Sequence, residues 1–172
     1  MGKKRFFFSS GILVSVPVTF FISRLVDSFC LLLPMLFGTI CAISVVAPVV
    51  EEFAKAYPFF YRYGISSRPL MTLGFFAGLG FGIAEFFVYV FIYQAPLILR
   101  IHPIFFHAAS TSIVAHGISK RSTLKFYLSA VVLHSLNNLF ASLDFLWLIG
   151  GLGVTMATYC LSYRYFRSTR HI

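Results

Sequence analysis

The sequence predicts an all-α fold: a polytopic membrane helix bundle of about six transmembrane helices, with both termini cytoplasmic. Three observations carry this expectation. The chain of 172 residues is 59% hydrophobic and only 11% charged, whereas a soluble domain is about 25% charged. Its apolar runs reach the ~20 residues that a helix needs to cross a ~30 Å hydrocarbon layer, and they are too long and uniform for barrel strands. Its basic residues occur in small groups between those runs, as flanks of spanning helices do.

The spans fall at about 6–26, 29–60, 70–93, 97–119, 125–143 and 145–166. Lys3, Lys4 and Arg5 precede the first. No small-residue cleavage site follows it, so it reads as a retained span and not a signal peptide. The second run is too long for one crossing. A crossing at 39–62, after a bent or shallow 28–38, would bring Glu51 and Glu52 into the membrane; a crossing at 29–50 would leave them at the surface. Pro34 and Pro48 make bends plausible there. The third span follows the break Ser66-Ser67-Arg68-Pro69 and carries Gly74, Gly78 and Gly82. That four-residue spacing suits close helix packing and makes the span central. The fourth, fifth and sixth are joined by short loops. No internal repeat is evident, so the whole chain, 1–172, reads as a single integral membrane domain.

Counting Lys and Arg orients the layout. Lys3, Lys4, Arg5, Lys55, Arg62, Arg68, Lys120, Arg121, Lys125, Arg164, Arg167 and Arg170 fall on one side. Only Arg24 and Arg100 fall on the other, so the positive-inside rule puts both termini in the cytoplasm. The net charge of +9 therefore belongs to span flanks and not to a nucleic-acid face, and no nucleic-acid partner is expected. Cys30, Cys41 and Cys160 lie in apolar stretches without C-x-x-C spacing and read as small buried hydrophobes.

The informative residues are ionisable groups within these apolar runs: Glu51, Glu52, Glu85, His107 and His134. A charge at mid-bilayer costs at least about 2.5–3.5 kcal/mol, so it usually has a partner or a task. His134 and Asn138 share a helix face, as do His107 and Thr111; Lys55, four residues after Glu51, can neutralise one carboxylate. A carboxylate pair, a third carboxylate, two histidines and an asparagine are what amide hydrolysis in a dry site needs. The carboxylate takes a proton from water, histidines orient water or hold a metal, and the amide donates to the oxyanion. Each residue alone also has a bland reading: a helix-end charge group for Glu51 and Glu52, a structural acceptor for Glu85, core histidines, and interhelical glue for Asn138. His102 and His171 read as solvated, and His116 as a surface residue.

In order and spacing, Glu51-Glu52-Phe53-Ala54-Lys55 (E-E-x-x-K), Phe81-Gly82-Ile83-Ala84-Glu85 (F-x-x-x-E), His107 before Thr111, and His134-Ser135-Leu136-Asn137-Asn138 (H-x-x-x-N) resemble the PrsW family of intramembrane proteases. That family is related to the type II CAAX prenyl proteases and bacteriocin-immunity-type membrane proteases. The resemblance covers about residues 40–140. It implies an intramembrane endopeptidase acting on a membrane-anchored protein, anti-sigma-factor-like by resemblance, with the lipid bilayer as its other partner. It also implies Glu51 as the water-activating base, Glu52 in support, and His134 with Asn138 at the oxyanion. Where the relatives have F-x-x-x-H, this chain has Glu85.

Two mechanistic forms stay open at this point. One holds a divalent metal, zinc, on His107, His134 and Glu85, a two-histidine, one-carboxylate set that leaves a position for water. The other uses no cofactor, with Glu51 acting on water directly. Two further classes compete with a protease: a catalytically inactive scaffold or immunity-like binding protein, and an ion or proton pathway.

Overall fold

The protein is described here from a computed structural model covering residues 2–60, 65–143 and 146–169. The described residues form six helices and no strand. We label them α1 (Lys3–Cys30), α2 (Met35–Phe59), α3 (Ser67–Ile92), α4 (Leu97–Ser119), α5 (Thr123–Ala141) and α6 (Trp147–Ser168). By length and apolar composition, α1 to α4 are each able to cross a membrane. Arg62, Arg170 and His171, to which the sequence reading assigned positions, lie outside the described residues.

Prolines shape the first two helices. The long apolar run 29–60 is divided at Pro34, which stands as the N-cap of α2. Residues up to Cys30 therefore complete α1 instead of forming a shallow approach to the second span. Pro17 and Pro48 each sit just beyond a widened π-turn, Gly11–Ser15 and Cys41–Val46. Proline has no N–H and its ring crowds the carbonyl four residues back; a widened turn relieves both defects without ending the helix. Hence α2 runs on through Glu51 and Glu52.

The glycine spacing of α3 works as expected. A Cβ on Gly78 would run into the backbone carbonyl of His107, and the neighbouring seam positions Gly74 and Gly82 face Thr111 and Ile104 in the same way. This seam is the most extensive helix contact in the molecule, between α3 and α4. On the opposite face of α3, Gly80 lies against the Phe8 carbonyl of α1. Helix α3 is therefore central, clamped from both sides by backbone.

At the end of the bundle where α3 begins, an apolar core gathers Phe7, Phe59, Leu70, Leu73, Val114 and Ile118. Phe7 and Phe59 stack with centroids 4.6 Å apart. The phenylalanines divide as expected: Phe59, Phe81 and Phe106 are buried, whereas Phe20, Phe21, Phe29 and Phe91 are exposed, as side chains facing lipid tails would be.

The cysteines depart from expectation. Cys30 and Cys41 form a disulfide across the α1–α2 turn, and Cys160 is free and exposed. The Pro34 turn folds α2 back along α1, which brings the two Cα atoms to 5.7 Å, within bridging range. Sequence spacing carried no sign of this pairing. His116 and His102 also differ, being buried and not solvated. His116 Nδ1 lies 2.6 Å from Ser67 Oγ, and its ring stacks on Tyr165. His102 Nδ1 lies 3.4 Å from Thr155 Oγ1.

Candidate active site

Four helices deliver ionisable groups to one buried cluster. Helix α2 supplies Glu51, Glu52 and Lys55; α3 supplies Glu85; α4 supplies His107 and Ser110; α5 supplies His134. The local reason for α4 and α5 is simple. These neighbours run antiparallel through a short turn, and the two histidines stand twelve and eleven residues from its two sides. At 1.5 Å per residue both are about 17 Å from the turn. Their rings meet edge to face, with centroids 5.1 Å apart.

Glu52 anchors the cluster. Its Oε1 accepts from Lys55 Nζ at 2.7 Å, His134 Nδ1 at 2.9 Å and Ser110 Oγ at 3.1 Å. Glu52 and Lys55 are each 0% exposed, so the two charges balance inside the bundle, while Glu52 Oε2 is buried without a hydrogen-bond partner among the described residues. Lys55 also reaches His107 Nδ1 at 2.8 Å, and His107 Nε2 reaches Glu85 Oε2 at 2.7 Å. An ammonium cannot accept, so Nδ1 is the acceptor and Nε2–H donates to Glu85; the neutral ring then has one consistent tautomer. By the same logic His134 donates Nδ1–H to Glu52 and turns the lone pair of Nε2 outward.

That lone pair points towards Glu51, whose Oε2 lies 3.6 Å away. Glu51 Oε2 is buried and has no hydrogen-bond partner among the described residues. A lone pair and a carboxylate oxygen facing each other in a buried site call for a proton, a polarised water or a cation between them. Ligand atoms from Glu51, His107 and His134 all lie within 4.8 Å of one another. These residues fit a divalent metal by donor chemistry: a hard carboxylate, two imidazoles, and a carboxylate (Glu52) behind one imidazole fixing its orientation. Glu85, expected from the sequence as the third ligand, is bonded to His107 instead, and Glu51 takes the place beside both histidines. The walls are aromatic, with Phe81 against His107 at 4.9 Å and Phe106 against His134 at 5.1 Å.

Asn138 stands one turn from His134 and is half-buried. Its Nδ2 donates to the Ile43 carbonyl of α2 at 2.9 Å. Ile43 lies within the π-turn Cys41–Val46, where the altered hydrogen-bond pattern favours a side-chain donor to the backbone. Thr111 Oγ1, paired with His107 by spacing in the sequence reading, is buried without a partner. Ser110 was missed. Its signal was present, because three residues after His107 is the same helix face. Lys55 was read only as neutralising a carboxylate, and its contact with His107 needed the packing of α2 against α4.

A helical membrane protein with carboxylates and imidazoles meeting in a buried, aromatic-walled cluster is the architecture of a membrane-embedded hydrolase. The chain belongs to the PrsW family of intramembrane metalloproteases, whose family model matches residues 5–164. It is thus, at the level of the family, a membrane peptidase that resides in the lipid bilayer and acts on a membrane protein. Comparisons with curated proteins and with solved structures returned no match.

Proposed function

We propose that this chain is an intramembrane endopeptidase in which Glu51, His107 and His134 hold a divalent metal, Glu52 and Lys55 position the histidines, and Asn138 serves the oxyanion. The observation that carries the reading is the unpartnered buried oxygen of Glu51 set 3.6 Å from a histidine nitrogen whose tautomer Glu52 fixes. A metal held there would activate water and polarise the scissile carbonyl. The protein's own contributions are separable. Glu52 holds His134 with Nε2 facing the site. Lys55 balances the charge of Glu52 and orients His107. Glu85, the least buried of the three glutamates, is bonded through Oε2 to His107; this leaves Oε1 as the oxygen that would take a proton from water. The Asn138 amide has two N–H groups, and the one not engaged with Ile43 is left for a developing oxyanion.

A second reading is favoured by a specific observation. Both nitrogens of His107 already have partners, Lys55 and Glu85. A site that keeps those bonds has no free lone pair on His107, and Glu51 would then act on water directly beside His134. Metal analysis of the purified protein, combined with cleavage of a single-span model substrate before and after chelation, separates the two. Stoichiometric metal and loss of cleavage on chelation, restored by metal, support the first. A metal-free, chelator-resistant protease supports the second. Cleavage retained by a folded Glu51→Gln variant would remove both.

The proposed membrane arrangement is one domain of six crossings with both termini cytoplasmic. Eleven of the fourteen basic residues support it, Lys55 being inside the bundle, as do α5 and α6, which pack on α4 with 19 and 22 residues. The Cys30–Cys41 disulfide is a separate support. It lies at the α1–α2 turn, on the side assigned to the exterior, and disulfides persist in oxidising compartments. The substrate in this reading is a membrane-anchored protein of the anti-sigma-factor type.

A further inference from the structure

Away from the cluster, a groove of about 240 Å³ opens between α3, α4 and α6. Met71, Phe75, Ala109, Tyr159 and Tyr163 form much of its wall. Two hydroxyls on it are already engaged: Ser112 Oγ donates to the Met71 carbonyl and Thr72 Oγ1 to the Arg68 carbonyl. At one end stand two exposed guanidinium groups, each over an aromatic ring of the groove. Arg68 lies 4.7 Å from the Phe166 ring and Arg167 lies 5.9 Å from the Tyr163 ring. Those rings are three residues apart on α6, which places both guanidinium groups over one face of that helix. Neither has a carboxylate within salt-bridge distance among the described residues. Glu51, Glu52 and Glu85 are within the interior cluster, and Asp27 is in the last turn of α1.

We propose that this groove binds a phospholipid with an anionic headgroup, the phosphate between Arg68 and Arg167 and an acyl chain along Met71, Phe75 and Tyr159. The two exposed guanidinium groups at the mouth have no carboxylate partner among the described residues, so an anion seated there gains from both. Basic pockets between spanning helices select anionic lipids on this ground. The site is independent of the proteolytic reading, since none of its residues belongs to the cluster. It does lie behind α4, with Ala109 between His107 and Ser110 in sequence.

The test uses delipidated full-length protein in detergent, titrated with phosphatidylglycerol, phosphatidylcholine or soluble glycerol phosphate, and read by native mass spectrometry and thermal stability. Parent protein should bind and be stabilised by phosphatidylglycerol alone. With ~1 kcal/mol per cation, R68Q or R167Q should weaken this about fivefold and the double variant about 30-fold. K120Q/R121Q, which removes two cations that do not stand over the rings of the groove, should bind like the parent. A photo-crosslinker at Tyr163 should capture lipid in nanodiscs containing phosphatidylglycerol. Equal binding of phosphatidylcholine, equal stabilisation by glycerol phosphate, an equal loss in K120Q/R121Q, or capture of a co-reconstituted protein substrate at Tyr163 would each overturn the proposal. The parent-protein arms decide the matter even where the double variant fails to fold.

Discussion

The two adjacent glutamates should separate cleanly under one substitution. Glu52→Gln keeps an acceptor oxygen but removes the charge opposite Lys55, which is 0% exposed and has its only salt bridge among the described residues to Glu52. Breaking a buried pair by removing one partner costs about 3–5 kcal/mol. For a chain of this size ~1 kcal/mol corresponds to about 2–4 °C, so Tm should fall by roughly 6–20 °C. Glu51 is different. Its Oε2 makes no hydrogen bond among the described residues, and the His134 nitrogen lies 3.6 Å from it. Glu51→Gln therefore removes a buried charge without stranding another, and Tm of the metal-free protein should hold or rise. Activity should reverse the order of separation: Glu51→Gln loses about 10²–10⁴ in rate at full stability. Glu52→Gln loses rate only together with stability. Thermal unfolding by circular dichroism and cleavage of a single-span substrate, measured on the same preparations, make the comparison. Equal destabilisation by both variants, or parent-like cleavage by folded Glu51→Gln, would refute the division of roles.

Four further outcomes are expected. Asn138→Ala should lower the cleavage rate about 10²–10³ if its second N–H serves the oxyanion; loss of interhelical glue alone would cost only about 0.6 kcal/mol of stability and leave the rate unchanged. Gly78→Ala places a Cβ against the His107 carbonyl, so α3 and α4 must separate; a loss of about 1–3 kcal/mol in thermal or denaturant unfolding, with cleavage falling because Glu85 and His107 part, is the expected result. Ser110→Ala removes one of three donors to Glu52 and should cost about 0.5–1.5 kcal/mol with little effect on rate, measured on the same substrate. Joint replacement of Cys30 and Cys41 by serine opens an eleven-residue separation and should cost about 2–3 kcal/mol; thiol labelling should find both cysteines blocked in parent protein until it is reduced.

Much of this protein was legible without coordinates because the membrane simplifies the code. Apolar runs must be helices there, since backbone groups find no water, so segment boundaries follow from composition. The span expected at 97–119 is α4, and the glycines spaced by four on α3 face α4 as the pattern requires. The rarity of charge within lipid likewise made Glu51, Glu52, Glu85, His107 and His134 stand out in a chain with only five acids. Helix α2 was legible only as an alternative. The choice to carry the glutamate pair into the interior depended on a π-turn absorbing Pro48, a backbone adjustment that residue type does not announce.

The sequence by itself determined which ionisable residues stand out and which helices bear them. Tertiary structure decided which of them meet. Glu51 and Glu52 are chemically identical and adjacent, and composition and periodicity do not distinguish them; only the family resemblance separates them in the sequence. One lies where Lys55, Ser110 and His134 converge on it from three helices, and the other faces the open nitrogen of His134. The Cys30–Cys41 bridge, the burial of His102 and His116, and the groove flanked by Arg68 and Arg167 were hidden for the same reason. Each depends on which face of one helix meets which face of another. In a bundle this apolar nearly every face is hydrophobic, so periodicity leaves helix rotation undetermined until the helices pack.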